Sequence, residues 1–348
     1  MKKLAYDIIL FERCNLKCEH CFEQNHCAPY GLEKLKMIPQ DVYQSFVKEF
    51  EARGKQLDQL TISFCGGELF IDGGLEKRIP VYTKLIDDLK SVIRKAGYAG
   101  PILFEMISNA VHTKKDLVEQ FLRSTNSNIS ISYDPVHRYR SAKQKQLALD
   151  NIIFYDKKDL LDEISITLTK QSIHHYIKHD DMKMFSDYDV GINYYINSNP
   201  NYVHLIPSDD DYWQFWKYCL DNGYTNVKAL DQFINNIKHE TKSTFCICDD
   251  RLVVRNGQIT YNCVKYSSMY NDCDFYGKSE VSENSVRLIK RSLGEQKRGC
   301  VVCKYYNICP GMCWTSLLFK HAVCSERCPC ATLIDYIRSN DDINHPIL

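Results

Sequence analysis

The amino-acid sequence predicts an α/β protein: a parallel sheet covered by helices and curled as an open or partial barrel, followed by a small cysteine-rich domain. Three observations carry that reading. Six short strand-like runs alternate with helical patterns over residues 1–200, cysteines crowd the two ends of the 348-residue chain, and the composition is ordinary for a globular protein. Hydrophobic residues make up 44% and charged residues 25%, with 15 Gly and 10 Pro, which excludes collagen, coiled coil and disorder for the chain as a whole.

Ala5 to Phe11 is an apolar run that stops at the first cysteine loop. Pro39 then opens a helix with Val42, Phe46 and Phe50 on one stripe, closed by Gly54. Leu57 to Cys65 is a second strand, followed by a helix whose Tyr82, Leu85, Ile86, Leu89, Val92 and Ile93 recur at three and four residues until Gly97. The run after Pro101 (ILFEMIS) leads to a helix around Asp116 to Arg123. NISISY from Asn128 leads to a helix from Ser141 to Tyr155, and EISITLT from Glu163 to a helix around Ile173 to Phe185. Gly191 to Ile196 is the sixth strand. Strands alternating with helices predict a parallel sheet with both faces in play.

Asn-Ser-Asn-Pro at 197–200 and Pro207 mark a linker. Ser208 caps a helix with Asp209, Asp210 and Asp211 in its first turn and Tyr212, Phe215, Trp216, Cys219 and Leu220 on one face. A second helix carries Leu230, Phe233, Ile234 and Ile237. From Thr244 the text is short, turn-rich and studded with Cys. The expected domains are therefore a barrel over 1–200, a linker with bridging helices over 201–244, and a cysteine-rich domain over 245–348.

Lys+Arg and Asp+Glu number 44 each, so the chain lacks the basic excess that counterion release rewards, and nucleic acid is not an expected partner. Asp7 and Glu12 interrupt the first apolar run, which excludes a signal peptide. The longest stretch free of charged residues, Gly191 to Ser208, holds four Asn and two Pro, so no membrane span is expected. A cytoplasmic location follows as the expectation.

There are 17 cysteines. In a reducing compartment, close-spaced thiols point to metal ligation before disulfides. Cys14, Cys18 and Cys21 fall just beyond strand one, Gly66, Gly67 and Glu68 just beyond strand two, Ser108 and Asn109 at the end of strand three, and Ser132 near the end of strand four. All converge on the C-terminal rim, where barrel enzymes place their chemistry. Three thiols are one short of the four ligands of a structural zinc site, which suggests an iron–sulfur cluster with an open iron.

These residues resemble the radical SAM superfamily. C-x3-C-x2-C at Cys14, Cys18 and Cys21 matches its cluster motif, with His20 at the position that is usually aromatic, and Gly66-Gly67-Glu68 matches its methionine-amine motif. The resemblance implies a (β/α)6 partial TIM barrel, and a 4Fe-4S cluster whose fourth iron binds S-adenosylmethionine and cleaves it reductively to a 5′-deoxyadenosyl radical. It also implies that Ser108 and Asn109 contact the ribose, and that Ser132 and Arg140 contact the methionine carboxylate.

Cys300, Cys303, Cys309 and Cys313 read C-x2-C-x5-C-x3-C, and fourteen residues separate Cys248 from Cys263. This resembles the SPASM domain, with two auxiliary 4Fe-4S clusters and so three clusters in all. By position, Cys248, Cys263 and Cys313 would hold the first, with Cys246 as a fourth ligand. Cys300, Cys303, Cys309 and a late cysteine would hold the second, in the order of preference Cys330, Cys328, Cys324. Zinc is set aside because the head motif, the GGE motif, the tail spacing and the six strands would all have to coincide by chance.

Cys27, Cys65 and Cys219 read as bystander or core thiols, and His174, His175 and His179 as a solvated helix face. Glu105, a carboxylate within strand three, would be costly against the helix-covered face, so it is expected in the lumen as a candidate base or in a buried salt bridge.

The resemblance implies a maturase that oxidatively modifies a ribosomally made peptide, by a carbon–carbon, ether or thioether crosslink, with an electron donor such as flavodoxin or ferredoxin. Formylglycine formation on sulfatases is the alternative, disfavoured because Val264 stands where that branch has an aspartate base; a non-catalytic cluster scaffold is the other. Cys14 lies too near the start for a leader-binding domain ahead of the barrel, so any leader is expected to be held by the barrel, the tail or a separate leader-binding protein.

Overall fold

The computed structural model describes residues 2–11, 13–21, 32–195, 200–242, 251–255, 258–260, 300–310 and 328–340. Strands β1 (Lys3–Phe11), β2 (Gln59–Gly66), β3 (Ile102–Ser108), β4 (Ser127–Tyr133), β5 (Leu161–Leu168) and β6 (Val190–Tyr194) pair in parallel, each with the next. Helices α1 (Ile38–Ala52), α2 (Leu75–Lys95), α3 (Lys115–Thr125), α4 (Ala142–Asp156) and α5 (Lys170–His179) make the crossovers. The sheet order is β6-β5-β4-β3-β2-β1, continued beyond β1 by two further strands, β7 (Arg251–Arg255) and then β8 (Gln258–Thr260), so the two edge strands do not meet and the sheet stays open.

β7 (Arg251–Arg255) and β8 (Gln258–Thr260) form an antiparallel hairpin that sequence periodicity did not reveal, and β7 adds in parallel to β1. The strand is pinned there by an ion pair: Arg251 Nη1 lies 2.8 and 2.9 Å from the two carboxylate oxygens of Asp7. The cysteine-rich region thus contributes a strand to the barrel's own sheet.

Alternation along each strand divides the sheet into two faces. Tyr6, Ile8, Ile62, Phe64, Phe104, Met106, Ile129, Ile131, Ile164 and Ile166 are buried against the helices in one continuous core. The opposite face is the lumen, and it is layered. Asp7, Ser63 and Glu105 align across β1–β3 as a polar row, with Ser130 bonded to Glu105, and one strand period nearer the rim stand Ile9, Cys65 and the partly buried Ile107, packed with Val253. Cys65 is therefore a lumen thiol, whereas Cys219 lies in the outer core.

α6 (Asp209–Asp221) and α7 (Lys228–His239) follow, and α8 (Pro329–Ser339) packs on both. Ser208 and Asp211 form the capping box that starts α6. Asp211 also accepts a hydrogen bond from His174 at 2.7 Å, and His175 pairs with Asp181 at 3.0 Å. His174 and His179 are exposed, as expected of a solvated face, and His174 and the half-buried His175 also tie α5 to its neighbours. None of the described helices is long and apolar enough to cross a membrane.

Candidate functional site

Four loops at the C-terminal strand ends meet and hold one another. The turn after β2 is built against the cysteine loop: Gly66 has φ +116°, and a Cβ at Gly67 would stand 2.1 Å from the carbonyl oxygen of Arg13. At Gly67 the close approach that requires glycine is thus with the chain's own backbone. The N–H of Glu68 donates to the same Arg13 oxygen at 2.9 Å.

Glu68 is 1% exposed and engages three donors: Phe70 N–H at 2.9 Å and Ser108 Oγ at 2.8 Å on one oxygen, Asn109 N–H at 2.7 Å on the other. Burial raises its carboxyl above the usual range, while those donors and the nearby Arg138 charge pull it back toward ionisation. The loop after β3 is held from behind by Asn151, which donates to the carbonyl oxygens of Ala110 and His112 at 2.8 Å each. Ala110, with φ +57°, sits in the left-handed region that a non-glycine residue adopts at a cost, so this loop is over-determined by its neighbours.

Cys14 is exposed at the rim, yet the packing around its side chain pushes the thiol up to about 11. Its sulfur accepts from Leu16 N–H at 3.4 Å and faces Asn109 Nδ2 at 3.6 Å. Cys18 is buried, and burial raises its thiol too. Cys21 is half-buried and joined to it by a backbone turn, Cys21 N–H to Cys18 O, at 3.1 Å.

The loop after β4 closes over these thiols. His20 is buried, its Nδ1 3.2 Å from Asp134 Oδ2 and its Nε2 3.5 Å from Arg138 Nη2. A guanidinium cannot accept, so the ring places its proton on Nδ1 and leaves Nε2 as an acceptor. His137 pairs with Glu19 at 3.0 Å. Arg138 lies in the field of Cys18, Asp134 and Cys21, and its buried Nε has no hydrogen-bond partner among the described residues.

Arg140 is exposed, with its backbone N–H on Gln144, and Ser132 is half-buried. Arg138, two positions earlier, is the residue that sequence reasoning missed. Its signal was the Asp-Pro turn at 134–135, which directs the next few side chains back over the rim.

Glu105 shares the lumen face with Ser63 and Ser130. It accepts from Ser63 Oγ at 2.7 Å and from Ser130 Oγ, and no cation pairs with it among the described residues. Ile107 stands between it and the rim on its own strand, and on the β4–β6 side Ser165 and Asn193 are hydrogen-bonded to each other.

In the tail, Cys300 and Cys303 share a turn, Cys303 N–H to Cys300 O at 3.0 Å, and Tyr305 N–H donates to the Cys303 sulfur at 3.5 Å. Cys328 is the N-cap residue of α8, and Cys330 is 4% exposed in its first turn. Hydrogen bonds with Cys309 first, then Cys328, raise the Cys330 thiol well above its ordinary value. The fold thus brings Cys330 to both Cys309 and Cys328. Cys27, Cys246, Cys248, Cys263, Val264, Cys313 and Cys324 lie outside the described residues. No group of three or more potential ligands among the described residues is drawn closely enough around one point for a single metal ion.

The donor set nevertheless fits a cluster at the head. Three thiols share one short loop, two N–H groups face the Cys14 sulfur, and the Arg138 charge offsets thiolates that must form on binding. The orphaned Arg138 Nε suits an anionic group beside them. A parallel sheet open at its edges thus carries this constellation on its C-terminal rim, where barrel enzymes place their chemistry.

Solved structures share this fold. The chain is similar to anSMEcpe with bound AdoMet, with a TM-score of 0.64 at 17% identity over 96% of this chain and 97% of that one. Against anSMEcpe with bound AdoMet and the Cp18Cys peptide, the TM-score is 0.66 at 16% identity, covering 97% of each chain. Against SuiB of Streptococcus suis it is 0.52 at 15% identity, over 93% of this chain and 77% of that one. The likeness establishes the fold over nearly the whole chain. No protein-family model and no curated protein matches it.

Proposed function

We propose that the chain is a radical SAM enzyme of the SPASM subgroup that oxidatively modifies a ribosomally made peptide. The observation that carries the reading is the single hydrogen-bonded unit formed by the cysteine loop, Glu68 and the end of β3. The likeness to anSMEcpe, solved with AdoMet and peptide, supports it.

In this reading Cys14, Cys18 and Cys21 hold a 4Fe-4S cluster that, when reduced, supplies a 5′-deoxyadenosyl radical from S-adenosylmethionine. The Gly66-Gly67-Glu68 turn receives the methionine amine, and Arg138, rather than the exposed Arg140, receives its carboxylate, with Ser132 beside it. His20 offers Nε2 as a fixed acceptor, and Ser108 orients Glu68.

Cys300, Cys303, Cys309 and either Cys330 or Cys328 hold one auxiliary cluster; Cys246, Cys248, Cys263 and Cys313 remain the proposed ligands of the other. A flavodoxin or ferredoxin supplies the reducing electron. Glu105 is the proposed base. Glu105→Gln is expected to retain S-adenosylmethionine cleavage and lose product; unchanged product yield removes it from the chemistry.

The proposed product has lost two hydrogens through a new intramolecular bond, because auxiliary clusters offer a sink for the surplus electron. Formylglycine formation is the second reading, favoured by the higher TM-score and fuller coverage with anSMEcpe, a sulfatase-maturating enzyme, than with SuiB. Tandem mass spectrometry of peptides coexpressed with the enzyme separates the two. A crosslinked peptide supports the first, and a sulfatase Cys or Ser converted to formylglycine with no crosslink overturns it.

A further inference from the structure

We propose that Asn109 is a positioning residue that raises the reduction potential of the cluster held by Cys14, Cys18 and Cys21, by donating a side-chain N–H to the Cys14 sulfur. The inference rests on the radical SAM reading above and gives Asn109 a role different from ribose contact.

The carboxamide has two N–H donors and one oxygen. Its Nδ2 lies 2.8 Å from Asn15 Oδ1 and 3.6 Å from Cys14 Sγ, so both donors are directed at the cysteine loop. Its Oδ1 accepts from Val111 N–H at 2.8 Å, which fixes the orientation, since a flipped amide would set NH2 against N–H. Asn15 completes a ring by donating its own Nδ2 to Val111 O at 2.7 Å. Asn109 is 4% exposed and its bond to Val111 N–H is buried, so the carboxamide is held in place from the interior while its donors face the part-buried cysteine loop.

The thiol of Cys14 faces Asn15 Oδ1 at 3.8 Å, and ligation removes that proton. Leu16 N–H and the Asn109 side chain then remain as donors to the sulfur, both placed by the protein before any cluster arrives. Hydrogen bonds to ligand sulfurs tune iron–sulfur potentials, and a donor stabilises the more negative, reduced state more than the oxidised one. The backbone N–H of the same residue holds Glu68 at 2.7 Å, so residue 109 couples the sulfur ligand to the carboxylate of the amine site.

The test is a redox titration of the full-length, anaerobically reconstituted enzyme, following the paramagnetic signal that changes when S-adenosylmethionine is added. Asn109→Leu removes both donors at similar size. Asn109→Asp keeps an acceptor for Val111 but sets an oxygen against the sulfur. Each is expected to lower the reduced-to-oxidised ratio of that signal about tenfold at a fixed potential, a midpoint about 59 mV more negative for one electron, with the other cluster signals unmoved.

An unchanged midpoint in the soluble variants overturns the inference. If neither variant retains a cluster, the wild-type enzyme decides: asparagine labelled with nitrogen-15 at the side chain is expected to give a resolved coupling to the S-adenosylmethionine-sensitive signal, and its absence overturns the proposal. A wild-type enzyme with no such signal overturns the radical SAM reading itself.

Discussion

The two thiol-rich regions of this chain are built on opposite plans. At the head, Cys14, Cys18 and Cys21 stand on a loop whose surroundings are already paired: buried Glu68 and Asn109 are bonded to each other, and buried Asp134 is paired with His20 of the cysteine loop. In the tail, the described cysteines stand on a turn and on the start of one helix, and Cys309, Cys328 and Cys330 bond chiefly to each other. A site grafted on strands keeps its shape without its ligand, whereas a module organised by thiols draws its folding energy from the metal. Head and tail variants should therefore fail in different ways.

The largest contrast is expected from replacing Cys14, Cys18 and Cys21 together by Ala. S-adenosylmethionine cleavage should vanish while about two thirds of roughly twelve irons per chain remain, as iron analysis would show. Loss of all iron would mean that the tail depends on the head and would break the comparison. Cys303→Ala should do the reverse, stopping product formation while leaving cleavage measurable, and lowering resistance to proteolysis of the tail. A soluble variant with full product yield would remove the electron-accepting role.

A smaller, purely geometric effect is expected at the head. Gly67→Ala sets a methyl group against the Arg13 carbonyl, so the turn and the cysteine loop must part. A displacement near 1 Å is enough to lower the cleavage rate on the order of a hundredfold. Iron content should hold, because the thiols themselves are untouched.

The smallest expected effect concerns the support beneath the end of β3. His112 is buried, with Nε2 2.6 Å from the Tyr155 hydroxyl, and burial lowers its imidazole from 6.5 to about 4. The unfolded chain takes up this proton near pH 6.5 and the native chain only near pH 4. Stability is therefore lost as pH falls through that window, by about 3 kcal/mol from this group. Denaturant titrations of His112→Gln should show a correspondingly flatter dependence on pH. An equal slope in wild type and variant would mean that the histidine does not carry it.

Much of this was legible in the sequence because parallel strands buried on one face and lining a lumen on the other leave a clear alternation. ILFEMIS is the observed β3 residue for residue, and the other five strands differ from expectation by a few residues at their ends. α2 starts at Leu75, ahead of the Tyr82 stripe, and carries Pro80 in its second turn, where the ring removes one intrahelical hydrogen bond without ending the helix. β7 and β8 were hidden because five- and three-residue strands carry too few periods to stand out, and their place beside β1 is set by the Asp7–Arg251 pair, distant in sequence.

At the site, residue types with characteristic spacing, the three cysteines and GGE, were readable. Arg138 and Asn15 were not, since an arginine and an asparagine in loops acquire a role only from what the fold places beside them.

The most direct test of the central claim is reductant-dependent formation of 5′-deoxyadenosine by the anaerobically reconstituted enzyme without substrate, measured beside the triple cysteine variant. Slow formation by the wild-type enzyme and none by the variant is expected. No formation by a wild-type protein carrying its full iron complement, or equal formation by both, would contradict it.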